Sequence, residues 1–241
     1  MPDLVTYERT GRTARIRFDD GRLNVMSPAM LQGLHDAFGR AAEERTVVVL
    51  SGRPNIFSAG FDLKVIRGPS PDDLHAMLSL GAELALKVLS FPQPVITIVE
   101  GSAFPMGAFL VLASDWRIGA EGDWKIGLNE VQIGIPVPRF GLEVARQRLQ
   151  PAYFSRTAML GEMFAPSEAL KAGFIDQLVP QSELAAATEA AIAALEAAHP
   201  PSHATTKRRA RAAAIAAMRA AIDEDITLAE SQRAVASRAA A

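Results

Sequence analysis

The sequence predicts a mixed α/β fold with a helical C-terminal region, and three observations carry that reading. Continuous apolar runs at residues 46–50 and 94–99 have the length and β-branched content of strands buried on both faces. Between and after them, apolar residues recur at helical spacing behind recognisable caps. From about Pro151 onward the composition shifts to alanine-rich helical segments. Strand, turn and helix alternating in this way is the pattern of α/β domains.

Taken in order, β-prone segments at 5–7 and 14–18 flank Thr10-Gly11-Arg12, which reads as a hairpin with a tight turn. Ser27 is a good N-cap with Pro28 at the first helical position. Met30, Leu31, Leu34, Ala37 and Phe38 then recur at helical spacing, predicting a helix to about Glu44. The two buried runs read as neighbours in one central sheet. Between them lie a glycine-containing loop (51–60), a polar, proline-interrupted stretch (67–73) and an apolar-periodic helix over about 71–89. A small-residue helix follows Gly107 (108–113), then short strands near 116–118 and 124–126, then a helix opened by Pro138. Further helices fall near 152–160, 166–172 and 182–198, and His199-Pro200-Pro201 breaks the pattern. The last segment, with Lys207, Arg208, Arg209 and Arg211 on a solvated face, reads as a helical appendage that packs on something outside its own core.

Composition narrows the function. The chain has 241 residues, and its 25 basic and 27 acidic residues leave a net charge of −2, so there is no positive field for nucleic acid. Cysteine is absent, which removes thiolate nucleophiles and zinc–cysteine sites, and the four histidines lack metal-ligand spacing. No N-terminal apolar region and no apolar run of about 20 residues is present, so the expectation is a cytoplasmic enzyme working without metal or membrane.

Two loops and one acid carry the chemistry. The loop at Ile56-Phe57-Ser58-Ala59-Gly60-Phe61-Asp62-Leu63 leads from a buried strand into a helix-forming stretch, where Gly60 can turn the chain and leave amides exposed to an anion. Gly101-Ser102-Ala103-Phe104-Pro105-Met106-Gly107 is a second such loop, and the pair could supply two amide donors. Glu130 lies in an apolar stretch, where burial disfavours its charged form and suits it to acid/base work. The local sequence reads equally well with Glu130 capping a turn or pairing with an arginine such as Arg139.

These motifs resemble the crotonase (enoyl-CoA hydratase/isomerase) superfamily over about residues 4–179, in the right order. Gly101 to Asp115, followed by Trp116-Arg117-Ile118 and Ile126-Gly127-Leu128-Asn129-Glu130, is similar to Δ3,Δ2-enoyl-CoA isomerases. The resemblance implies a fold of repeated ββα units, with a core over 1–180 and a C-terminal helical region over 181–241. It implies Glu130 as catalytic base and the amides of Phe61 and Met106 as oxyanion donors. Ala59, Gly60, Asp62 and Leu63 would line the path of the CoA arm, and Arg22 is a candidate for its phosphates, with Lys64 and Arg67 as further candidates. It also implies an acyl-CoA substrate, no cofactor beyond the CoA carried by that substrate, and a homotrimer or dimer of trimers.

Four departures from the family pattern are visible. Met106 replaces a glycine, Glu100 an asparagine, and Val137-Pro138-Arg139-Phe140 a glycine-rich turn. Phe109 falls where the family's hydratases place a second, water-activating glutamate. The leading expectation is therefore double-bond isomerisation, with hydration and a non-catalytic acyl-CoA-binding role as alternatives.

Overall fold

A computed structural model describes residues 3–239. β1 (Val5–Thr10) and β2 (Thr13–Phe18) form the expected antiparallel hairpin, with Gly11 at φ +59° in the turn. β3 (Val25–Met26) precedes α1 (Pro28–Glu43), whose cap is Ser27: its side chain accepts from the Met30 amide at 3.3 Å. Then come β4 (Val47–Ser51), β5 (Asn55–Ser58), β6 (Gly60–Phe61), α2 (Leu63–Ile66), α3 (Pro71–Ser90), β7 (Val95–Val99), β8 (Gly101–Ala103), α4 (Gly107–Ala113) and β9 (Trp116–Ala120). β10 (Ile126–Gly127) runs into a 3-10 turn at Glu130–Ile133, followed by α5 (Arg139–Arg148), α6 (Pro151–Ala158), β11 (Met163–Phe164), α7 (Pro166–Ala172) and β12 (Gln177–Val179). Four helices close the chain: α8 (Leu184–Glu196), α9 (Pro200–Ala210), α10 (Ala212–Asp225) and α11 (Leu228–Ala239).

The main sheet has the order β1-β2-β4-β7-β9-β12 and is parallel apart from the hairpin. Alternation along β4 and β7 explains their almost wholly apolar sequence. Val48, Leu50, Val95 and Val99 face the large core under α1, α3 and α4, whereas Val47, Val49, Ile96 and Ile98 face a second core closed by Leu184, Ala191 and Ile192 of α8. Thr97 is the polar exception on the large-core face, and its hydroxyl meets that of Ser114 at 2.6 Å.

A smaller sheet, β11-β10-β8-β5, is not legible in the sequence because its strands are only two to four residues long. The strand expected at 124–126 is shifted to Ile126–Gly127. Glu121, Gly122 and Asp123 form an exposed bend, and the buried Trp124 turns its indole N–H onto the Ala120 carbonyl at 2.7 Å. The expected break falls between α8, which ends at Glu196, and α9, which Pro200 and Pro201 open because the first turn needs no proline N–H.

The partner of the C-terminal helices is this chain's own core. α10 packs between α3 and α5, and Ala214, Met218, Ala221 and Ile222 are buried in the large core. Arg219 pairs with Glu83 of α3, and Glu224 and Asp225 pair with Arg139 of α5.

Candidate active site

β5, β8 and β10 are adjacent parallel strands of the smaller sheet, and each candidate residue follows its strand by the same interval. Phe61 is the third residue after Ser58, Met106 the third after Ala103, and Glu130 the third after Gly127. The three are therefore carried to one end of one sheet, the carboxyl end, where parallel α/β sheets place their ligands.

The first two loops touch. The Phe104 amide donates to the Ser58 carbonyl at 2.8 Å, and the Ser58 hydroxyl accepts from the Gly60 amide at 3.0 Å while donating to Asn24 O at 2.7 Å. Gly60 has φ +90°, and a Cβ there would overlap the Pro105 carbonyl oxygen. Both facts require glycine. Gly60→Ala is expected to cost about 1–3 kcal/mol through backbone strain alone, read as a fall in the urea midpoint. A midpoint within error of the parent would remove the close approach of the two loops.

Met106 is the N-cap of α4 at φ +45°, ψ −41°, a region that non-glycine residues rarely occupy. Its side chain is fully buried, which is how the surrounding packing holds the strained backbone. A non-glycine residue can thus occupy the position where the resemblance expects glycine.

Glu130 opens the 3-10 turn, and its backbone is fixed by Ile135 N–H donating to its carbonyl at 2.9 Å. The residue is 6% exposed, and neither carboxyl oxygen has a hydrogen-bond partner among the described residues. Loss of hydration on burial pushes its pKa up to about 7. Arg139, which the sequence offers as a partner, is engaged instead by Glu224 and Asp225. Glu130 is a carboxyl group poised to exchange a proton near neutral pH.

Phe109 is fully buried, stacks edge-on to Phe140 with ring centroids 5.3 Å apart, and lies against Gly141. The position where the resemblance expects a second glutamate in hydratases is thus an apolar side chain packed in the core.

The remaining candidates sit around the first loop. Leu63 is 42% exposed, and the Asp62 side chain accepts from the Lys64 amide at 2.8 Å, which makes it the cap of α2. Ala59 donates its amide to Leu23 O at 2.9 Å, so the exposed Arg22 lies one residue from the point where its segment meets the first loop. Lys64 and Arg67 are exposed on and just beyond α2.

Sequence reasoning misses Asn24 and Arg53. Asn24, buried at φ +51°, donates from its side chain to Phe18 O at 3.0 Å and Phe57 O at 3.2 Å, tying β2 to β5. Arg53 donates to Arg22 O at 2.8 Å and places a second cation beside that loop. The only sequence signal for Asn24 is its residue type, which tolerates left-handed backbone.

The family model for enoyl-CoA hydratase/isomerase matches residues 8–240. The chain belongs to the enoyl-CoA hydratase/isomerase family. Its α/β architecture is accordingly the crotonase fold. The solved apo structure of a Mycobacterium tuberculosis enoyl-CoA isomerase superposes with a TM-score of 0.88 at 37% identity, covering 94% of this chain and 98% of that one. Human mitochondrial enoyl-CoA delta isomerase 1 is 29% identical over 194 residues, which cover 79% of this chain but 64% of the human protein. The chain thus matches just under two thirds of that relative's length. Carnitinyl-CoA dehydratase of Salmonella paratyphi A is 30% identical over 189 residues, covering 76% of this chain and 71% of that enzyme. Family members at this distance include both isomerase and dehydratase names, so the reaction has to be argued from the site. Among the described residues, no helix of this family member is long and apolar enough to cross a membrane.

Proposed function

We propose that the protein is an enoyl-CoA isomerase that converts a 3-enoyl-CoA to the conjugated 2-enoyl-CoA. The observation that carries the reading is Glu130: one buried carboxyl with no hydrogen-bond partner among the described residues and its pKa raised to about 7.

The ionised Glu130 takes a proton from C2, and the electron pair of that C–H bond delocalises into the thioester carbonyl to give an enolate. The amides of Phe61 and Met106 donate to the enolate oxygen; removing one such donor typically costs about 3–4 kcal/mol of transition-state stabilisation. Glu130 returns the proton at C4, the double bond moves to C2–C3, and no water or further cofactor is consumed. Hydration needs a held and activated water, and the Phe109–Phe140 wall offers no polar group for it. Ala59, Gly60, Asp62 and Leu63 border the CoA arm, with Arg22 toward its phosphates. A homotrimer or dimer of trimers is the assembly carried by the family resemblance.

The test is to give the purified protein 3-hexenoyl-CoA and crotonyl-CoA, following conjugation by absorbance and hydration by mass. Conjugation without hydration is the expected result. Hydration alone would replace the reading with a lyase, and tight binding with neither product would replace it with an acyl-CoA-binding role. Because Glu130 must be ionised to act as base, kcat/KM is expected to rise with pH and reach half its plateau near pH 7; a flat profile from pH 5 to 8 would exclude Glu130 as the base.

A further inference from the structure

α3 is a 20-residue helix with a glycine, Gly81, in its buried middle. Glycine is the poorest helix former after proline, so a packing reason is expected for it. That reason is specific. A Cβ at Gly81 would stand 2.5 Å from both Cε1 and Cζ of the Phe61 ring and 3.1 Å from the Met106 Sδ. The two side chains that converge on this one missing methyl group belong to the two residues whose amides are the proposed oxyanion donors. They arrive from different loops, one after β5 and one after β8, and α3 is a third, independent element.

We propose that Gly81 is a positioning residue: the bare backbone of α3 at this point is the common seat that fixes Phe61 and Met106 relative to each other and so sets the aim of both amides. Met106 is buried in a strained backbone conformation and has little freedom to move. Added bulk at Gly81 therefore acts mainly by displacing the half-buried Phe61 ring, and with it the short β6 that pairs Phe61 with Met26. The inference rests on the oxyanion reading above and extends it to a helix that contributes no donor of its own.

The test compares wild type, Gly81→Ala and the double variant Gly81→Ala/Phe61→Leu. Leucine ends at the level of the ring Cδ atoms and lacks the two atoms that would collide. Two readouts are taken: kcat and KM with 3-hexenoyl-CoA, and the absorbance shift of a bound dimethylaminocinnamoyl-CoA, whose colour reports hydrogen bonding to its thioester oxygen. Gly81→Ala is expected to lower kcat about 10- to 100-fold with KM within about twofold, and to diminish the red shift. The double variant is expected to recover most of both. Unchanged kcat and red shift in Gly81→Ala would overturn the proposal, and so would a loss that the double variant fails to recover. A wild type that shifts the chromophore without isomerising 3-hexenoyl-CoA would instead overturn the isomerase reading and leave the Gly81 test standing on the spectrum. A wild type that bound the probe with no shift would overturn the oxyanion reading, and the role of Gly81 with it.

Discussion

Glu130→Gln is expected to lower kcat by about 100- to 10,000-fold while acyl-CoA affinity stays within a few fold, because under the proposed mechanism it removes a proton shuttle and no binding surface. Glutamine keeps the shape of the side chain and cannot accept the C2 proton. Isothermal titration with a 2-enoyl-CoA, beside turnover of 3-hexenoyl-CoA, separates the two effects; equal loss of both would show that the carboxylate serves binding. The same variant carries a stability signature of opposite sign. In the folded protein Glu130 holds its proton up to about pH 7, against 4.5 when unfolded. Between those values the folded state binds more protons than the unfolded one, so stability falls as pH rises through that window. The shift corresponds to roughly 3 kcal/mol above pH 7. Glu130→Gln is thus expected to melt several degrees higher than the parent at pH 8 and to lose that advantage at pH 4. An enzyme that becomes more stable as it loses its activity is the signature of a carboxylate kept buried for chemistry.

Asp115→Ala is expected to be the most damaging of these changes to stability, at about 3–5 kcal/mol, because it strips the counter-charge from the buried Lys207 and the half-buried Arg211. Asp115 lies between α4 and β9. Its carboxylate meets Lys207 Nζ at 2.6 Å and Arg211 at 3.0 Å, and accepts the Val95 amide at 2.8 Å. The Lys207 side chain is 5% exposed, and burial already pushes its pKa down to about 8 even with Asp115 in place. Arg148 adds to the positive charge, donating to the backbone carbonyls of Ser114 and Asp115 at 2.7 Å each. This cluster ties α9 to the start of β7 and β9, so its loss frees the root of the C-terminal helices. For a chain of this size the cost corresponds to a fall in Tm of roughly 6–20 °C. Asp115→Asn keeps an acceptor for Val95 without the charge. It should fall nearly as far if charge is what matters, and stay near the parent if the Val95 hydrogen bond is.

Local physics is legible in the sequence itself. The runs around Val48 and Val95 are strands buried on two faces because only burial on both sides explains four β-branched or leucine residues in so short a segment. Ser27-Pro28 places the start of α1 because an N-cap and its first-turn proline act within three residues of each other. The order of the two glycine loops and the Gly-Leu-Asn-Glu run points to the family, and the family match over residues 8–240 agrees.

What only the tertiary structure decided depends on residues far apart in sequence. That Arg139 does not pair with Glu130 follows from its being claimed by Glu224 and Asp225, some 85 residues on. The basic run at 207–211 suggests a solvated face, yet Lys207 is a buried ion-pair member because Asp115 meets it across 92 positions. Gly81, Phe61 and Met106 converge because three elements pack at one point, and no periodicity within α3 encodes that meeting. Caps and periodicities are set by neighbours along the chain, whereas the charge state of a carboxylate and the seat of a loop are set by whatever folding brings beside them.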